Sequence, residues 1–226
     1  QRALALHKVG AIFETPAFYD YLSGWRNLEI LSHYTAPTAP QRIREVVDWV
    51  GLTGREQSKV RTYSHGMRAR LALAQALLPS PELLILDEPG NGLDPEGIAV
   101  MRQTIGRLHR ELGLTILLSS HLLNEVEQLC TRIAVLQQGR KVFEGSVADV
   151  KAARGKVALK TNDFSAATRL LRERGLITDS LAGQFISLAG GRTTAEIVQA
   201  LVSAGIGVEG IWQHEQTVED FYLNLV

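Results

Sequence analysis

The chain has 226 residues, enough to bury a sizeable core in one or two domains. Its 24 Lys and Arg offset its 24 Asp and Glu, which excludes a nucleic-acid binder held by bulk positive charge. The single cysteine, Cys130, excludes an internal disulfide. No stretch reads as a signal peptide or is apolar for long enough to span a bilayer, so any membrane association is expected to come through a partner.

In chain order, LHKVGAIFE (6–14) reads as a strand entering a loop at Glu14. Residues 17–80 read as mainly helical. NLEILSHYT is followed by QRIREVVDWVGL, which carries Ile43, Val46, Val47 and Val50 along one face. The PTAP stretch, Pro37–Pro40, is the expected loop between them. The aromatic-rich segment Phe18–Asn27 suits either a docking surface or ordinary core packing. Tyr63-Ser64-His65-Gly66-Met67 then opens the helical run MRARLALAQALL, with Ser64 placed as an N-cap.

Residues 81–150 alternate strand and helix, as expected of a parallel sheet with right-handed crossovers. Leu83–Leu86 is a run of four apolar residues, expected to be a strand buried on both faces. It ends in Asp87 and Glu88, followed at once by Pro89. Carboxylates at the carboxyl end of such a strand lie where open α/β sheets bind ligands, and two of them suit a metal–phosphate site. One acid holds Mg²⁺ through oxygen, and the other orients or deprotonates a water. A helix-capping turn is the competing reading of the same residues. Gly92-Leu93-Asp94-Pro95 turns into a helix, with Asp94 as N-cap and Pro95 at its first position. A second apolar strand, Leu114–Leu118, runs into Ser119-Ser120-His121, which places His121 at the same sheet edge as Glu88. Cys130 falls in an expected amphipathic helix, NEVEQLCTRI, where packing explains it. RIAVLQQGRKVFEG reads as a hairpin turning at Gln138-Gly139.

Residues 151–226 change character. KVALKTN, FSAATRLLRERG, two strands flanking Leu181-Ala182-Gly183, TTAEIVQALVSAG and GVEGIWQ give the order β-α-β-β-α-β, and a last helix follows. That order predicts a small α+β ferredoxin-like unit. It holds no cluster of His, Cys or acids, and a regulatory or dimer-stabilising role suits it best. His7, His33, His65, His109 and His214 show no metal-ligand spacing.

YSHGM, LLILDE, GLDP and His121 occur in that order within Tyr63–His121. In this the chain resembles the ATP-binding subunit of ABC transporters. YSHGM stands in the place of the family signature LSGGQ, LLILDE in that of the Walker B strand, GLDP in that of the D-loop and His121 in that of the switch histidine. GAIFETP followed by YLSGWRNLEI resembles the Q-loop segment, with Glu14 replacing the usual glutamine, as in bacterial exporters of the bacitracin and lantibiotic self-protection type. The final TVEDFYLNLV is similar to the C-terminal helix of bacterial export ATPases.

The resemblance implies a P-loop NTPase-like α/β cassette over residues 1–150, with a helical subdomain at about 17–80 and an accessory α+β domain over 151–226. It implies ATP and Mg²⁺ as cofactors. Glu88 is then the general base or water-positioning group, His121 the γ-phosphate sensor, and Asp87 the Mg²⁺ ligand, through water. Glu14 lies near Mg²⁺ and the membrane partner. Ser64, His65, Gly66 and Met67 meet the phosphate of ATP held by the opposite subunit, and Asp94 couples the two sites. The departures from the signature fall at His65 and Met67, where main-chain contacts would have to dominate. The implied partners are a transmembrane permease and a second ATP-binding subunit, in a homodimer or heterodimer and with no nucleic acid. The implied location is cytoplasmic, on the inner face of the cell membrane, and the implied activity is ATP-driven export of antibiotic peptides or drugs.

No G-x-x-x-x-G-K-[ST] occurs in these 226 residues. Gly155-Lys156 is followed by Val157 and lacks the earlier glycine at Val150. The expectation is that the phosphate loop and its strands lie upstream of Gln1, leaving half a nucleotide site here. Two alternatives stand beside the transport ATPase. One is a soluble ABC ATPase acting on DNA or ribosomes, which would carry a coiled-coil insertion or tandem cassettes. The other is a non-hydrolysing module that only docks on its membrane partner.

Overall fold

The computed structural model describes residues 6–35, 38–152, 156–181, 184–214 and 217–225. By compactness the chain divides into two units, 1–125 and 126–226.

In the first unit, β1 (Val9–Ile12), β2 (Leu83–Asp87) and β3 (Thr115–Ser119) form a parallel sheet in the order β1-β2-β3. β1 is shorter than the 6–14 read from sequence, and Phe13 beyond it is exposed. The helices α1 (Gly24–Thr35), α2 (Pro40–Trp49) and α3 (His65–Leu77) lie between β1 and β2 in the chain, and α4 (Pro95–Leu112) lies between β2 and β3. Ala39 is extended and Pro40 begins α2, where its fixed φ and missing N–H cost nothing. Of the PTAP loop, Pro37 falls outside the described residues. The apolar stripe Ile43, Val46, Val47 and Val50 is buried, as the 3.6-residue period requires.

α3 is rich in alanine and leucine because it lies against the sheet. Leu71 to Ala74, Ala76 and Leu77 are all buried. Gly10 of β1 sits directly beneath the Ala76 carbonyl. On β2, Leu84 and Leu86 are fully buried, but Leu83 and Ile85 are only half-buried. The expectation of a strand buried on both faces is therefore corrected. Among the described residues one face is closely packed, while the other is less covered, and Leu117 of β3 is 60% exposed.

α5 (Leu123–Leu129) leads into the second unit and ends just before Cys130, which packs half-buried beside Ile133, Val147, Val150 and Val218. Burial pushes the Cys130 thiol pKa up, as an apolar site disfavours the thiolate. β4 (Arg132–Gln137) and β5 (Arg140–Ser146) pair antiparallel as a sheet of their own, so the run of parallel crossovers stops at β3. Gln138 and Gly139 both have positive φ, as a two-residue hairpin turn demands. α6 (Val147–Ala152) and α9 (Val218–Leu225) share the small core that contains Cys130, with Phe143 and Phe221 edge to face at 4.6 Å. Residues 126–150 thus group by packing with the C-terminal residues.

The remainder is β6 (Lys156–Thr161), α7 (Phe164–Glu173), β7 (Ile177–Leu181), β8 (Phe185–Leu188), α8 (Thr194–Ser203) and β9 (Val208–His214). The sheet order β7-β8-β6-β9 is all antiparallel and places the first and last strands side by side, the split-βαβ arrangement. Asp163 caps α7, and Thr193 with Glu196 forms a capping box on α8. Residues 182 and 183 of the expected turn, and Gly155, lie outside the described residues.

Candidate functional site

β2 delivers the two acids to the open end of the sheet. Asp87 is its last residue and pairs in register with Ser119 of β3, whose hydroxyl donates to Asp87 Oδ1 at 2.6 Å. Glu88 follows in a left-handed conformation, φ +48°. This is unusual for a long side chain, and more so immediately before a proline. Its N–H donates to both the backbone oxygen and the hydroxyl of Ser119, each at 3.2 Å. Its carboxylate is gripped at the far end, where Oε2 lies 2.8 Å from His121 Nδ1 and accepts from the His121 N–H at 3.4 Å. Against an ionised carboxylate Nδ1 is the donor, which leaves Nε2 of a neutral ring as an acceptor facing elsewhere.

The turn after the acids is closed by Asn91 N–H donating to Glu88 O at 3.0 Å. The Asn91 side-chain amide reaches back and donates to Glu14 Oε1 at 2.7 Å. Asp94 ends the turn as the N-cap of α4, its Oδ1 accepting from Gly97 N–H at 2.8 Å. Glu14, Asp87, Glu88 and Asn91 line a pocket of about 370 Å³, whose other wall includes His65 and Arg68 of α3. The size is that of a small-ligand site.

Ser64 caps α3 by accepting from Met67 N–H at 3.2 Å, and His65 packs against Gly92, where φ is +70°. Ser64, Gly66 and Met67 do not line the pocket; of the signature segment only His65 does. Arg68 is paired with Asp20 at 2.8 Å. Arg70 anchors the same helix to the end of α2 through Gly51 O at 2.8 Å, and burial pulls its pKa below the usual arginine value. In the aromatic segment Tyr19 and Tyr21 are exposed and meet edge to face at 6.1 Å. Buried Asn27 accepts from the Tyr19 N–H at 2.8 Å.

The structure thus brings Glu14, His65, Asp87, Glu88 and His121 together within one chain, and sets Ser64, Gly66, Met67 and Asp94 at two helix N-termini beside them. Ser119, Asn91 and Arg68 were not singled out from sequence. Among the described residues no group of three His, Cys, Asp or Glu side chains could hold a metal alone. Asp87 commits one carboxylate oxygen to Ser119 and Glu14 commits one to Asn91. The second oxygen of each suits a hard cation that keeps several waters and takes one or two carboxylates. These residues therefore fit the Mg²⁺ side of a nucleotide–phosphate site.

The ABC transporter family profile matches residues 1–91. YdbJ of Bacillus subtilis, an uncharacterized ABC transporter ATP-binding protein, is 38% identical over 97% of this chain and 71% of its own length. The chain belongs to the ABC transporter ATP-binding proteins. The bacitracin transport ATP-binding protein BcrA of Enterococcus faecalis is 34% identical over 97% of this chain and 72% of its own. Among solved structures, the ATP-binding cassette MJ0796, a dimer in a post-hydrolysis state bound to ADP and Pi, superposes with a TM-score of 0.56 at 23% identity. That match covers 65% of this chain and 66% of the MJ0796 chain, and at that identity it speaks for the fold of the cassette alone. No helix among the described residues of this ABC protein is long and apolar enough to cross a membrane.

Proposed function

We propose that this chain belongs to the ATP-hydrolysing subunit of a bacterial ABC exporter, which works in a dimer of ATP-binding subunits on a separate membrane permease. It would lie on the cytoplasmic face of the cell membrane and take no nucleic acid. The observation that carries the proposal is the Asp87–Glu88–His121 cluster at the carboxyl end of a parallel strand, with Glu14 lining the same pocket as the two acids. Similarity to BcrA and the acid at position 14 point to antibiotic peptides or drugs as the exported class.

In this mechanism Asp87 and Glu14 are the residues that would hold Mg²⁺. The ion, when bound, neutralises charge on the phosphates. Glu88 orients the attacking water and takes its proton at the carboxylate. His121, held on Glu88 Oε2 through Nδ1, keeps that carboxylate aimed and senses the terminal phosphate. The N-terminus of α3, with Ser64, His65, Gly66 and Met67, offers N–H groups and a positive dipole end to a phosphate of the nucleotide on the opposite subunit. Asp94, fixed as a helix cap, carries the state of one site to the other. The cassette on this reading extends to about residue 150, with 151–226 as an accessory domain that steadies the dimer or regulates it.

The test is Glu88→Gln in the complete gene product. Loss of a positioned base costs about 10²–10⁴-fold in turnover, so the variant should lose steady-state Mg-ATP hydrolysis and accumulate as an ATP-bound dimer in size-exclusion chromatography. Undiminished turnover would count decisively against Glu88 as the base.

A further inference from the structure

We infer that Ser119 is a positioning residue that sets both acids of the site through one hydroxyl, an inference that rests on the roles given above to Asp87 and Glu88. A serine hydroxyl has one hydrogen to donate and lone pairs to accept with. Here the hydrogen goes to Asp87 Oδ1 at 2.6 Å, and a lone pair takes the Glu88 N–H at 3.2 Å. The contact is fixed by the sheet, because Asp87 and Ser119 are register partners on adjacent parallel strands.

Each of the two bonds has a separate task. The Asp87 carboxylate ends a strand at an exposed edge. The Ser119 hydroxyl holds one of its oxygens and so fixes the carboxylate whose other oxygen would meet a cation. Glu88 has φ +48° and precedes Pro89, a conformation that a free peptide leaves. Its N–H is shared between the Ser119 oxygen and hydroxyl, so the serine tethers the strained peptide at one end while His121 holds the carboxylate at the other. Strain of this kind persists only where the surroundings over-determine it. Ser119 acts through the two acids, because its one hydroxyl hydrogen is committed to Asp87 and its oxygen accepts from Glu88.

The experiment compares Ser119→Thr with Ser119→Val in the complete gene product. The pair has one shape, and both are β-branched and at home in a strand, so they differ only in the hydroxyl. Three quantities are read: Mn²⁺ affinity in the presence of a non-hydrolysable ATP analogue by EPR, kcat and KM for Mg-ATP, and thermal stability. Removing a partner that orients a metal ligand costs about 10–100-fold in affinity or activity. The Val variant should therefore lose about tenfold in Mn²⁺ affinity and in kcat with little change in the KM for ATP, and Thr should restore both at equal stability. Ser119→Ala serves as a second comparison should the Val chain not fold. Ser120→Ala loses only a turn bond to the Leu122 N–H at 3.0 Å and should leave Mn²⁺ affinity unchanged. Equal Mn²⁺ affinity and kcat in Thr and Val overturns the inference, as does an equal loss in Ser120→Ala. If Asp87→Asn and Glu88→Gln themselves leave turnover intact, the assignment of the acids has failed; if they abolish it while Val matches Thr, only the role of Ser119 has.

Discussion

Replacing Gly10 by alanine tests what holds α3 over the sheet. A Cβ built on Gly10 overlaps the Ala76 carbonyl oxygen, and it lies 3.0 Å from the Ala76 carbonyl carbon and 3.1 Å from Leu84 Cδ1. Leu84 Cδ1 could move aside, but the Ala76 carbonyl is helix backbone and cannot turn away without lifting α3. Carbon–oxygen contacts settle at about 3.3–3.6 Å, so α3 must rise by about 1 Å and give up contacts along Ala72, Leu73 and Ala76. Overpacking costs about 1–3 kcal/mol, and a collision with backbone belongs at the top of that range. We expect ~3 kcal/mol, a drop of ~10 °C in the midpoint for a unit of this size, read by circular dichroism melting and by urea titration. The comparison is Gly113→Ala at the end of α4. There φ is +66° and a Cβ meets nothing within 4 Å, so only backbone conformation opposes it, at about 1–2 kcal/mol. Gly10→Ala should be the worse of the two, and because α3 carries His65 into the pocket it should also slow hydrolysis. Equal or smaller destabilisation at Gly10 would refute the close approach of α3 to β1.

In the second unit, Leu171→Ala removes a fully buried side chain from the core that joins α7 to the sheet and should cost about 2–5 kcal/mol in denaturant titration; a cost under half the lower figure would mean that the α7–sheet core is not as drawn. Glu127 is held below the usual carboxylate range first by the Lys151 ammonium hydrogen-bonded to it and then by the Val218 N–H. A depressed folded pKa contributes stability that is complete above the unfolded value of about 4.3. That stability is lost as pH falls through the lower folded value. Glu127→Gln should therefore be less stable than the parent by ~1 kcal/mol at pH 7, and the gap should close as the pH drops below the unfolded value. A gap independent of pH would show that charge at Glu127 is not what ties α6 and α9 together.

Much of this was legible because it is local or periodic. The stripe on α2 needed only the 3.6-residue period, the cap at Asp94 only the order Asp-Pro before a helix, and the β4–β5 turn only Gln-Gly between two apolar runs. The ferredoxin-like order followed from counting elements. Burial was less legible. Leu83 to Leu86 look alike in sequence, yet only Leu84 and Leu86 are fully buried, since composition does not say how many layers cover a sheet. Nor does it say that Ile133, Val147 and Val150 find their core with Val218, more than 60 residues away; that pairing is long-range in sequence and leaves no period to read.

The site divides along the same line. Glu88 and His121 were placed at one sheet edge because both follow apolar strands, which fixes the edge and nothing finer. The contacts that orient them depend on strand register, which the sequence encodes only through which side chains must face the core. With Asp87 opposite Ser119, Leu86 lies opposite Leu118 and Leu84 opposite Ile116. A slip of one residue would set Asp87 against Leu118 or Ser120 and turn every β3 side chain to the other face. Leu118 would leave Asp87 Oδ1 without a donor, and Ser120 would be drawn from its bond to Leu122. The apolar pairing that packs β2 against β3 is thus the same constraint that puts a hydroxyl between the two acids. Core packing one to three residues away decides the chemistry at the strand end, and a change such as Leu86→Ala, confined to the buried core, should loosen the acids as well as the core.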